Sequence, residues 1–189
     1  MKNILLKMVI VPATVSLCAN AQKDSSGIYL NANDFNQKKL SYAINCKIEK
    51  HKIKRYAFFA KDYITVIHQG IKYQLSKDSV FGFRTCDEKS FRIIDKTDYS
   101  ILNPDDDLLL YKFQVMSTAK DPRSPIFKFS VRANGALFDL NTTNLKNIFP
   151  DNHAFHDELD SQFRNKNSLL EFDNYHKQYK LVRLFNKYK

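Results

Sequence analysis

Apolar residues recur at every second position through much of this chain, and that alternation limits its fold more than any other feature. Tyr42, Ile44, Cys46 and Ile48 alternate with Ala43, Asn45, Lys47 and Glu49. A period of two is the signature of a strand with one buried face, and it places Cys46 toward the core. The stretch "DYITVIHQGIKYQL" predicts two strands joined by a tight turn at His68-Gln69-Gly70. "SVFGFRTCDEKSFRIID" predicts a second hairpin turning through Cys86-Asp87-Glu88-Lys89. Leu109, Tyr111, Phe113 and Val115 form a further inward face, as do Phe127, Phe129 and Val131. The polar, proline-bearing runs "LNPDDD" and "AKDPRSP" separate them as loops.

Beyond Leu140 the period lengthens. Thr142 or Thr143 is expected to cap a short helix running through Phe149 and stopped by Pro150. A second helix is expected from near Asp151, with Phe155, Leu159 and Phe163 on one face. "SLLE", Ser168 to Glu171, reads as a capping box opening a third helix. That helix would carry one stripe of Leu169, Phe172, Tyr175, Tyr179 and Val182, and another of Leu181, Leu184, Phe185 and Tyr188. "GIYLNANDF" and "GALFDLNTTNL" share a shape, a short strand leading into an Asn/Thr-rich helix start. The pattern describes an α+β fold: an antiparallel β-meander, either a sheet or an open barrel of about eight to ten short strands, closed by C-terminal helices. The β-rich part covers 27–140 and the helical part 142–188.

The first residues read as a secretory signal peptide over 1–21. Lys2 and Lys7 make a positive start, Met8 to Leu17 an apolar core, and Ala19-Asn20-Ala21 a small-x-small cleavage site. Lipid attachment at Cys18 fits less well, because Leu17 stands where a small residue belongs. The expectation is one globular domain over 22–189, exported to a periplasm or secreted, with no transmembrane segment. Cleavage would leave Cys46 and Cys86 as the remaining cysteines, and an even pair in an oxidising compartment points to a disulfide. Two separate buried thiols are the alternative.

The full chain carries a formal charge of +10, 15 Phe and 10 Tyr but no Trp, and 4 Gly. Phosphate cradles of the Walker or dinucleotide type need glycines at spacings absent here, and no G-x-S-x-G nucleophile elbow occurs. No cofactor is called for. In "HAFHDELD", His153, His156, Asp157 and Asp160 are metal-ligand types without a closed coordination set. Their helical spacing instead suggests a solvated face held by His153–Asp157 and Asp160–Arg164 pairs. The segment from Lys38 to Lys61 sets Lys38, Lys39, Lys47, Lys50, Lys52, Lys54, Arg55 and Lys61 against Glu49 alone. Lys47, Lys50, Lys52, Lys54 and Arg55 are the candidate binding residues for an anionic partner, an acidic polymer or an envelope protein. The same lysines also suit a soluble strand edge that discourages pairing. No sequence-specific nucleic-acid module accompanies the charge.

"GIYLNANDF", "DYITVIHQGIKYQL", "SVFGFRTCDEKSFRIID", "FPDNHAFHDELDSQF" and "EFDNYHKQYKLVRLF", in that order, resemble a group of small exported proteins of Bacteroidota with no assigned activity. The resemblance spans Gly27 to Phe185, implies export and a single domain, and carries over no catalytic residue. Three functions are open on this reading: a non-catalytic binding domain with a basic face, a cell-envelope hydrolase with dispersed carboxylates, and a structural or assembly accessory protein. Carboxylates or histidines converging in a deep cleft would favour the enzyme, and a large exposed apolar patch the accessory role.

Overall fold

In the computed structural model the described residues are 24–49, 53–55, 61–115, 122–165 and 168–189. The signal-peptide reading, Cys18, Lys50 and Lys52 lie outside them. An eight-stranded antiparallel sheet carries the fold. Its central run is a meander of β6 (Gly82–Arg84), β7 (Ser90–Ile94), β8 (Thr97–Ile101), β9 (Leu108–Phe113), β10 (Ile126–Val131) and β11 (Phe138–Asp139). β1 (Ser25–Tyr29) returns beside β6, and β2 (Ser41–Asn45) pairs outside β1. The sheet is open, with β11 and β2 at its edges. A second sheet of three strands, β3 (Ile53–Lys54), β4 (Tyr63–His68) and β5 (Ile71–Ser76), leaves the chain between β2 and β6.

Both hairpins expected from the alternation are present. Ile64 pairs with Leu75 and His68 with Ile71 around a Gln69-Gly70 turn. Gly70 has φ +78°, the left-handed region that a side chain resists. Phe83 pairs with Phe91 across the turn that holds Cys86. A Cys46–Cys86 disulfide ties that turn to the end of β2, closing a separation of 40 residues. Strand β2 ends at Asn45, short of the alternation that runs on to Ile48 and Glu49. Asn45 Oδ1 accepts from the Lys47 amide and its carbonyl from the Glu49 amide, so the chain turns and Ile48 is 81% exposed.

The register fixes what covers each face. Ile28, Phe83, Phe91, Ser100, Lys112 and Phe127 form one continuous cross-strand row and therefore share a face. At one end of that face Ile28 and Phe83 pack with Ile64, Val66 and Val80 under the small sheet. At the other, Phe127 meets a helical cluster built on Leu108, Leu110 and Phe129. The opposite face buries Tyr29, Tyr99, Ile101, Leu109 and Tyr111 beneath Phe35. Strand β9 is thus covered on both sides, and Leu108 to Tyr111 are all buried rather than alternating. Tyr111 keeps its hydroxyl satisfied there: it accepts from Arg92 (3.1 Å) and lies 2.8 Å from Ser130 Oγ.

Asparagine starts both short helices. Asn31 Oδ1 accepts from the Asp34 amide at 2.9 Å ahead of α1 (Ala32–Asn36), and Asn141 Oδ1 from the Asn144 amide at 2.8 Å ahead of α2 (Thr142–Lys146). The α2 cap is therefore Asn141, not a threonine. Helix α3 (His153–Gln162), capped by Asn152, buries Phe155 and Leu159 as its period requires.

The third helix is shorter than the SLLE box suggests. Ser168 to Leu170 form a single 3-10 turn, followed by a hairpin of β12 (Phe172–Asp173) and β13 (Gln178–Tyr179) and then α4 (Lys180–Tyr188). Asp173 Oδ1 accepts from the amides of Tyr175 (2.9 Å) and His176 (3.1 Å), a turn that competes with helix in this stretch. Tyr175 is accordingly 89% exposed. Glu171 pairs with Lys180 rather than reaching back to Ser168. The second stripe does exist as α4, which buries Leu181, Val182, Leu184 and Phe185. Among the described residues no helix is long and apolar enough to cross a membrane.

Candidate functional site

On the face shared by the small sheet and the helices, the row between the two covered ends stays open. Phe91, Ser100 and Lys112 occupy that stretch, Asp98 points the same way because it lies two residues from Ser100 along β8, and Gln114 follows the end of β9. They floor a cleft of about 700 Å³, within the size range of small-ligand sites. The small sheet supplies one wall. Arg55 follows β3, Lys77 opens the 3-10 turn after β5, and both line the cleft.

The β7–β8 turn forms the rim. Asp95 (φ 46°) and Lys96 (φ 63°) both adopt the left-handed conformation that a two-residue hairpin turn demands. Neither is glycine or asparagine, so the strain needs an outside hold. Lys77, only 5% exposed, donates from Nζ to the Lys96 carbonyl at 2.9 Å. Lys96 Nζ in turn meets Asp62 at 3.1 Å. One end of the small sheet therefore holds the rim through two contacts.

Asp98 is the unusual group. Its side chain is 9% exposed, and among the described residues neither carboxylate oxygen has a hydrogen-bond partner. Arg55 comes nearest, at 3.9 Å, with its guanidinium 5.4 Å from the Phe91 ring centre and 5.9 Å from that of Phe83. The two rings stack at 4.9 Å. Burial pushes the Asp98 carboxyl above its ordinary range, against the opposing pull of the Lys77 and Arg55 charges. Lys112, on the floor, has no side-chain partner among the described residues.

The basic residues expected to act together are dispersed. Arg55 enters the cleft; Lys47 is exposed and pairs with Asp24 at 2.6 Å; Lys54 is exposed on β3. Lys38 pairs with Asp105. In the HAFHDELD helix, His156 Nε2 lies 2.9 Å from the Phe149 carbonyl, and Asp160 pairs with Lys146 rather than Arg164. His153 and Asp157 lie on the exposed side of α3. Among the described residues no three His, Cys, Asp or Glu side chains are grouped to hold a metal ion. Asp98 escapes sequence reasoning because an inward acid in "TDYSI" looks like an ordinary polar strand position; only the cross-strand row sets it among buried residues. Comparison with known proteins finds no matching family model, curated protein or solved structure.

Proposed function

We propose that the chain is an exported, non-catalytic binding domain whose cleft takes an anionic ligand, a stretch of acidic polymer. The cleft carries the reading: Arg55, Lys77, Lys89, Lys96 and Lys112 line it against Asp62, Asp95 and Asp98. Lys77, Lys89 and Lys96 are held by protein groups, whereas Arg55 sits beyond hydrogen-bond distance of Asp98 and Lys112 has no counter-ion among the described residues. Arg55 over Phe91 and Lys112 beside it on the floor offer an anion both charge and shape. Export draws its support from the leader-like first residues and from the Cys46–Cys86 disulfide.

Three aspartates line the cleft, the arrangement that would favour an enzyme, but they do not converge. Asp62 is tied to Lys96 at the rim, Asp95 stands on the strained turn, and Asp98 hydrogen-bonds neither. Binding of heparin at low salt tests the proposal. Changing Arg55 and Lys112 together to Gln should weaken it about tenfold, and added salt should weaken it further as charges are screened. Changing Lys47 and Lys54 to Gln should have a smaller effect. The reverse order would move the site to the β2–β3 region.

A further inference from the structure

Asp98 narrows the chemistry of the ligand beyond its charge, an inference that rests on the anion-binding reading above. Its oxygens are buried without hydrogen-bond donors, and such acceptors are normally satisfied in folded proteins. An ionised phosphate, sulfate or carboxylate brings only acceptors and leaves Asp98 as it was. What Asp98 needs is a pair of donors. Ammonium groups would supply them, but Arg55, Lys77 and Lys112 already surround the cleft with positive charge. Hydroxyls carry no such penalty.

The neighbouring groups ask for an anion on the same molecule. Arg55 is 43% exposed, lies over Phe91 and meets Asp98 only at 3.9 Å, so a ligand carboxylate can draw it away. Its departure opens the Asp98 oxygens, and ligand hydroxyls take its place. Phe91, backed by the buried Phe83 ring stacked on it, then presents a flat apolar surface to the ligand ring. We propose that the cleft binds a sugar acid, with the ring carboxylate on Arg55 and Lys112 and two adjacent hydroxyls donating to the two oxygens of Asp98.

Oligogalacturonate and polyglutamate of equal charge test this, because both carry carboxylates and only the first carries ring hydroxyls. Affinities are measured by calorimetry at one low salt concentration for the wild type and Asp98→Asn, whose fold is checked by circular dichroism. The wild type should prefer oligogalacturonate by about tenfold or more, the effect of charge-assisted hydrogen bonds. Asp98→Asn should bring that preference close to one. Equal binding of the two polymers by the wild type would overturn the sugar-acid inference and leave the anion-binding reading intact. A preference that survives Asp98→Asn would remove Asp98 from the site. Failure of both polymers to bind would overturn both readings, and the comparison within the wild type stands even if the variant folds poorly.

Discussion

Asp98 holds an ionisable group whose buried oxygens meet no hydrogen-bond donor among the described residues. An unsatisfied buried acceptor costs about 1–3 kcal/mol, so the residue works against the fold that contains it. The direction of its pH dependence follows from its raised pKa. Between the unfolded carboxyl pKa and the higher folded one, the folded state holds more protons than the unfolded state. Stability attributable to Asp98 is therefore fullest below the unfolded value and is lost as pH rises through the folded one. Asp98→Asn should raise stability at pH 7 by about 1 kcal/mol, and the gap should shrink as pH falls toward 4. Thermal unfolding of both proteins across that range measures it; a variant that is less stable than wild type at pH 7 would contradict it. Asp173 shows the opposite case. Its contacts with His176 hold its carboxyl down at about 2, so its contribution is full above the ordinary carboxylate pKa and is lost as pH falls from there to about 2.

At the scale of elements, local side-chain chemistry decides where segments begin and end. Asn31 and Asn141 each accept from an amide three residues on, and each precedes a buried anchor, Phe35 or Leu145. Replacing either by Ala should lower stability by about 1 kcal/mol, measured by denaturant unfolding. Replacing Thr142 or Thr143 should do much less, because neither caps α2. The hairpins were legible in the sequence because alternation and turn residues agree at His68–Ile71 and around Cys86. The stretch from Phe172 to Tyr179 was not, since its aromatic spacing fits a helix while Asp173 turns the chain through backbone amides. Nor was the β7–β8 turn, where Asp95 and Lys96 take left-handed angles and distant Lys77 and Asp62 hold Lys96. The cleft depends on that turn. Its floor depends on a register spanning six strands, and no local pattern encodes such a register.

For the whole molecule, the central arrangement is one sheet face covered at both ends and open in the middle. The Cys46–Cys86 bond ties the edge strand β2 to the β6–β7 turn on the side of the small sheet. Closing a 40-residue separation should stabilise the fold by about 4 kcal/mol through loop-closure entropy. Unreduced, denatured protein should show no free thiol at Cys46 or Cys86, and reduction should lower the denaturant midpoint. Labelling of both residues without reduction would contradict the bond. The open middle of the face is where function is assigned, and amide chemical shifts during titration of isotopically labelled protein with oligogalacturonate test that assignment most directly. Saturable shifts concentrated in Ser90 to Ser100 and Lys112 to Gln114, with Arg55 among them, are the expected result. Shifts confined to the neighbourhood of Lys47 and Lys54, with the cleft strands unmoved, would contradict it.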